Sequence, residues 1–71
     1  MSRVVGLGAA VELLGYELVG VDVVDARGSQ EVPAAWAGLR DDVALVLLTQ
    51  EARRALPEEL DQRDHLWVVL P

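Results

Sequence analysis

Gly15-Tyr16-Glu17-Leu18-Val19-Gly20-Val21-Asp22-Val23-Val24 and, some twenty residues on, Asp42-Val43-Ala44-Leu45-Val46-Leu47-Leu48-Thr49 decide the fold of this chain. The first stretch runs into the β-rich Val21-Asp22-Val23-Val24-Asp25, and becomes one long strand from Tyr16 to Val24 if a helix ends at Gly15. The second is apolar without interruption from Val43 to Leu48, the pattern of a parallel strand covered on both faces. Working outward, Arg3-Val4-Val5-Gly6-Leu7 is a β-branched opening run, and Leu66-Trp67-Val68-Val69-Leu70 repeats the continuous apolar character before Pro71. Four strands are expected, with Val43–Leu48 and Leu66–Leu70 the most buried.

Helical patterns separate them. Ala9 to Val19 sets Ala10, Leu13, Leu14 and Leu18 on one side and Glu12 and Glu17 on the other. Gly15 either ends this helix or sits inside it where a side chain would obstruct packing on the sheet. In the second helix Val32, Ala35, Trp36 and Leu39 fall at i, i+3, i+4 and i+7, with Ser29 as cap and Pro33 in the first turn. The third starts after Thr49 as cap, with Glu51 near the positive end of the helix dipole, and presents Ala52, Ala55, Leu56 and Leu60. Pro57 kinks it or splits it. The β-α-β-α-β-α-β order predicts an α/β fold, a small Rossmann-like three-layer domain on a four-stranded, mostly parallel sheet, in one domain over 1–71.

The order and spacing of these stretches resemble the F subunit of archaeal/vacuolar-type rotary ATPases, in a short form without the C-terminal helical tail common in that family. The resemblance favours the longer first helix and sets the first strand beside the second and third. It also implies a non-catalytic central-stalk subunit that binds the coiled-coil axle subunit. Through that subunit it would help couple ATP turnover in the catalytic head to proton or sodium transport in the membrane sector. Cytoplasmic, peripheral placement and the absence of any cofactor belong to the same expectation.

Composition narrows the classes independently. A 71-residue chain buries only about 60% of its unfolded surface, and with no Cys and one His it has neither disulfide nor thiolate-metal staple. Packing or association must hold it. Twelve acids against six arginines give a net charge of −6, and arginines at 3, 27, 40, 53, 54 and 63 lie scattered among acids, so nucleic acid is not an expected partner. The apolar runs fall far short of the roughly 20 residues that span a bilayer, and no basic region followed by an apolar segment opens the chain, so no direct membrane contact is expected.

Gly6-Leu7-Gly8 after the first strand invites comparison with a dinucleotide-binding turn, with Asp22 or Asp25 as a ribose-binding acid. Val11 stands where the third glycine belongs, and a tight turn accounts for both glycines. A phosphorylatable receiver domain is rejected: the first strand ends in Leu7-Gly8, the third in Leu48-Thr49, and the chain has no lysine. His65 has only adjacent Asp64 as company and reads as a surface-loop histidine rather than a general base. Asp41-Asp42 and Glu58-Glu59 read as solvated charge, not as cation ligands, and Arg53-Arg54 as the exposed face of the third helix.

Among the aromatics, Trp36 belongs to the core. Tyr16 and Trp67 are the candidate partner-interface residues, Trp67 being absorbed if its strand is covered on both faces and available if that strand lies at an edge. Two alternatives to the rotor reading stay open: a minimal nucleotide- or cofactor-binding domain, and a self-associating module that buries an edge strand in a homodimer.

Overall fold

A computed structural model describes residues 3–60 and 65–71; Arg63 and Asp64 lie outside them. The chain is an α/β domain built on one all-parallel sheet. Strands β1 (Arg3–Gly8), β2 (Asp22–Asp25), β3 (Val43–Leu48) and β4 (Leu66–Val69) lie in the order β2-β1-β3-β4. The first strand therefore sits between the second and third, as the resemblance implies. Val5, Gly6 and Leu7 of β1 stand beside Val46, Leu47 and Leu48 of β3, and Val46 and Leu47 stand beside Trp67 and Val68 of β4.

The pleat divides the sheet into two unlike faces. Val5, Leu7, Val46 and Leu48 point to one face and are buried at 2% exposure or less. Over them lie α2 (Gly28–Ala37) and α3 (Gln50–Arg54), which contribute Val32 and Ala52, with Ala35, Trp36, Leu39 and Leu56 packed into the same cluster. The opposite face carries Gly6, Leu45, Leu47, Leu66 and Val68. Its cover is a 3-10 turn at Ala10–Leu13 followed by the four-residue α1 (Leu14–Glu17). From that segment only Leu13 is fully buried, and Gly6 makes room for it: a Cβ on Gly6 would lie 3.2 Å from a Leu13 methyl.

This first helical segment departs from the expected Ala9–Val19 helix. A 3-10 turn advances three residues per turn, which takes Leu14 and Leu18 off the stripe set by Ala10 and Leu13. Leu14 is 55% exposed and Leu18 87%. Gly20, not Gly15, ends the segment. With φ at +101°, it lets the Gly20 N–H reach the Glu17 carbonyl and the Val21 N–H reach the Tyr16 carbonyl, the two bonds of a Schellman closure. Gly15 lies inside α1 with open space where a side chain would be, so neither role expected of it holds.

Four further expectations are corrected. The residue capping α2 is Arg27, with Ser29 inside the first turn; Arg27 offers no side-chain cap, and its own N–H donates to the Glu31 carboxylate at 2.9 Å. Pro33 is the sixth residue of α2, in its second turn, where it removes one intrahelical bond. Pro57 neither kinks nor splits α3, because the helix closes at Ala55; the residue before a proline is driven out of the helical region. Finally, β4 is an edge strand, with Leu66 61%, Val68 46% and Val69 41% exposed. The continuous apolar run reflects one inward face and one uncovered face, not burial on both sides.

Thr49 caps α3 as expected, its hydroxyl accepting the Ala52 N–H at 3.1 Å. Among the described residues no helix is long and apolar enough to cross a membrane.

Candidate functional site

In a sheet of order β2-β1-β3-β4 the chain leaves β1 toward one edge and β3 toward the other, so the loops beyond their carboxyl ends part and leave a crevice. A crevice of about 560 Å³ lies there, lined by Glu12 and Tyr16 from the first helical segment, Thr49, Gln50, Glu51 and Arg54 around the start of α3, and Leu70 and Pro71 beyond β4. Tyr16, a candidate interface residue, lies on its wall and is 36% exposed.

The features a nucleotide would use at this point are taken by the protein itself. Gly8 has φ at +151°, and a Cβ there would stand 2.4 Å from both Cγ2 and Oγ1 of Thr49. The glycine thus admits the Thr49 side chain where a dinucleotide-binding turn admits pyrophosphate. The Ala10 N–H, first free amide of the 3-10 turn, donates to Asp25 Oδ1 at 3.0 Å. Asp25, the residue placed to meet a ribose, instead satisfies the amide a phosphate would seek. Asp22 is engaged at the other end of the sheet, accepting from Arg3 Nε at 2.9 Å. That hydrogen bond, with the charge of Asp22 and then of Asp42 at 3.7 Å, raises the pKa of the Arg3 guanidinium above its ordinary value.

Trp67, the other candidate interface residue, turns toward the helix-covered face and packs against the core, with Nε1 sealed from solvent and without a hydrogen-bond partner among the described residues. The Arg53 guanidinium lies over its ring, 4.9 Å from the centroid. Arg53 also donates to the carbonyls of Leu56 at 3.4 Å, Pro57 at 2.9 Å and Glu58 at 2.8 Å. It was expected on an exposed face; it is half-buried and fastens the segment after α3 to β4. Arg54 is exposed and reaches the crevice, and Glu58 and Glu59 are exposed. Tyr16 and Trp67 therefore belong to different surroundings rather than to one surface.

His65 is likewise not a surface-loop residue. It is 8% exposed, its Nδ1 lies 2.9 Å from the Val43 carbonyl, and its ring meets Trp36 edge-on at 5.9 Å between centroids. The carbonyl is an acceptor only, so Nδ1 carries the proton, and the imidazole closes the amino end of the core between β3 and β4.

Sequence reasoning overlooked the apolar surface of the first helical segment. Val11, Leu14, Leu18 and Val19 are 66%, 55%, 87% and 80% exposed. Four large aliphatic side chains within nine residues of the first helical segment are thus open to water. Comparison of the chain with protein-family models, with curated proteins and with solved structures finds no match.

Proposed function

We propose that the chain is a non-catalytic docking domain, and that it serves as a central-stalk subunit of an archaeal/vacuolar-type rotary ATPase, held to the coiled-coil axle subunit on the cytoplasmic side of the membrane. The partner follows from the resemblance of 15–24, 42–49 and 66–71. The observation that carries the docking role is the exposed row Val11, Leu14, Leu18 and Val19. In a chain of net charge −6, apolar side chains kept in water on a short helical segment cost solubility, and a partner that covers them offsets that cost.

The nucleotide-binding alternative is disfavoured by Thr49 filling the space over Gly8 and by Asp25 taking the Ala10 N–H. On the stalk reading the domain performs no chemistry. It stiffens the axle and transmits torque between the catalytic head and the proton- or sodium-translocating sector.

The test is co-expression with the axle subunit of the same organism, followed by gel filtration. A stable equimolar complex is expected, and Leu14→Lys with Leu18→Lys should abolish it without unfolding the domain. Failure of the folded wild-type chain to co-elute overturns the stalk assignment. Persistence of the complex in the double variant overturns the assignment of the surface.

A further inference from the structure

The two edges of the sheet are built differently. The β2 edge is Asp22-Val23-Val24-Asp25, with both acids exposed and Asp22 ion-paired to Arg3, the kind of charged edge that resists pairing with another chain. The β4 edge is Leu66-Trp67-Val68-Val69, with no charge, no proline and no bulge within the strand. Nothing in its own residues blunts it.

The direction of its backbone groups is fixed by one bond. The Leu70 N–H donates to the Leu48 carbonyl at 2.8 Å, so residue 70 points its amide toward β3. In an extended strand the N–H and C=O of one residue point to the same side and alternate along the chain. Leu66 and Val68 therefore face β3, and the N–H and C=O groups of Trp67 and Val69 face away from it, where no strand among the described residues pairs with them.

We propose that this edge pairs antiparallel with β4 of a second copy about a two-fold axis at Val68. In that register Trp67 of each chain opposes Val69 of the other, and each such pair exchanges two N–H to O=C bonds. All the outward groups within the strand are used. Sliding toward the carboxyl end would bring in Pro71, which has no N–H to give. Sliding toward the amino end would lean on His65, which lies outside the strand.

A two-fold axis normal to the sheet keeps like faces together. On the uncovered face Val68 meets Val68, and Leu66 meets Leu70 of the other chain on either side. The pair extends the half-covered row of Leu45 and Leu47 across the junction. On the helix-covered face Val69, 41% exposed, closes over the edge beside Trp67 of the second copy. The run 66–70 holds no ionisable side chain, so self-pairing brings no like charges into register despite a net charge of −6 per chain. A second copy is the partner whose edge has this complementary pattern by construction. The edge used lies on the opposite side of the sheet from the 3-10 turn, which packs over β1 and β2.

Sedimentation equilibrium of the isolated chain, with Val68→Lys, Val68→Glu and their equimolar mixture, tests the proposal. Wild type is expected at twice 7.7 kDa. Each single variant, folded by circular dichroism, should associate at least tenfold more weakly, because two like charges then oppose across the axis. Mixing the two should restore dimers as heterodimers. Val69→Pro removes an outward N–H while leaving the Leu70 to Leu48 bond in place, and should also give monomer. A wild-type chain that is monomeric throughout, a folded Val68→Lys that dimerises like wild type, or a mixture that stays monomeric would each overturn the proposal.

Discussion

Replacing Gly8 by alanine tests the central claim about the crevice, that this glycine exists to admit the Thr49 side chain. The added Cβ would fall 2.4 Å from Cγ2 and Oγ1 and 2.9 Å from Cβ of Thr49, a residue only 4% exposed. Relieving that overlap costs about 1–3 kcal/mol. Holding a side-chain-bearing residue at φ +151° adds about 1–3 kcal/mol. Moving Thr49 also loosens the cap on Ala52, worth about 1 kcal/mol.

A loss of about 3–7 kcal/mol follows, against a total stability of about 4–11 kcal/mol for a chain of this length. With a urea slope near 1 kcal/mol/M, the midpoint of unfolding followed by Trp36 and Trp67 fluorescence should drop by about 3 M or more. The discriminating measurement is a double-mutant cycle with Thr49→Gly, which removes every atom of the overlap. In that background Gly8→Ala should retain only its backbone cost, so the two substitutions should couple by about 2–4 kcal/mol. Additivity within about 0.5 kcal/mol would show that Gly8 is glycine for some reason other than Thr49.

Gly15→Ala, inside α1 with open space at its Cβ, should stabilise the domain by about 0.5–1 kcal/mol in the same urea assay. Asp25→Ala should cost about 1 kcal/mol by orphaning the Ala10 N–H, with Asp25→Asn recovering most of it. His65→Ala should cost about 2–3 kcal/mol, since it opens a void beside Trp36 and leaves the buried Val43 carbonyl without its donor; a milder loss in His65→Asn would be the check on the hydrogen bond. Arg53→Lys keeps the charge but not the fork that reaches three carbonyls, and should destabilise by about 1 kcal/mol with a change in Trp67 fluorescence.

The fold was legible where pattern and burial coincide. The branched run of β1, the continuous apolar run of β3 and the i, i+3, i+4, i+7 stripe of α2 each have one packing solution, and Thr49 stands where a cap must. β4 misled because an apolar run does not reveal whether a neighbour lies on its far side; only strand order shows that Leu66 and Val68 face water. The first helical segment misled because the same leucines fit a period of 3.6 and a period of 3.0. Choosing between them depends on Gly20, whose positive φ places the closure five residues later than Gly15.

The crevice was harder to read than the sheet. Gly8, Thr49, Asp25 and Ala10 meet only after three turns of the chain are assembled, and no local spacing joins them. His65 and Arg53 share that difficulty, since their partners Val43 and Trp67 are distant in sequence. Tyr16 and Trp67 were recognised as large side chains in want of a setting, and it took the assembled sheet to place one at a crevice wall and the other beneath a guanidinium.

The bond from the Ala10 N–H to Asp25 has a consequence for how the domain answers its surroundings. A fold that leaves such an amide open gains stability with the logarithm of the concentration of any anion that binds there, once that concentration exceeds its Kd. Here the anion is covalently part of the chain, present at a fixed local concentration in every molecule. For this turn the partner of the amide is supplied by the chain itself rather than by dissolved phosphate or nucleotide.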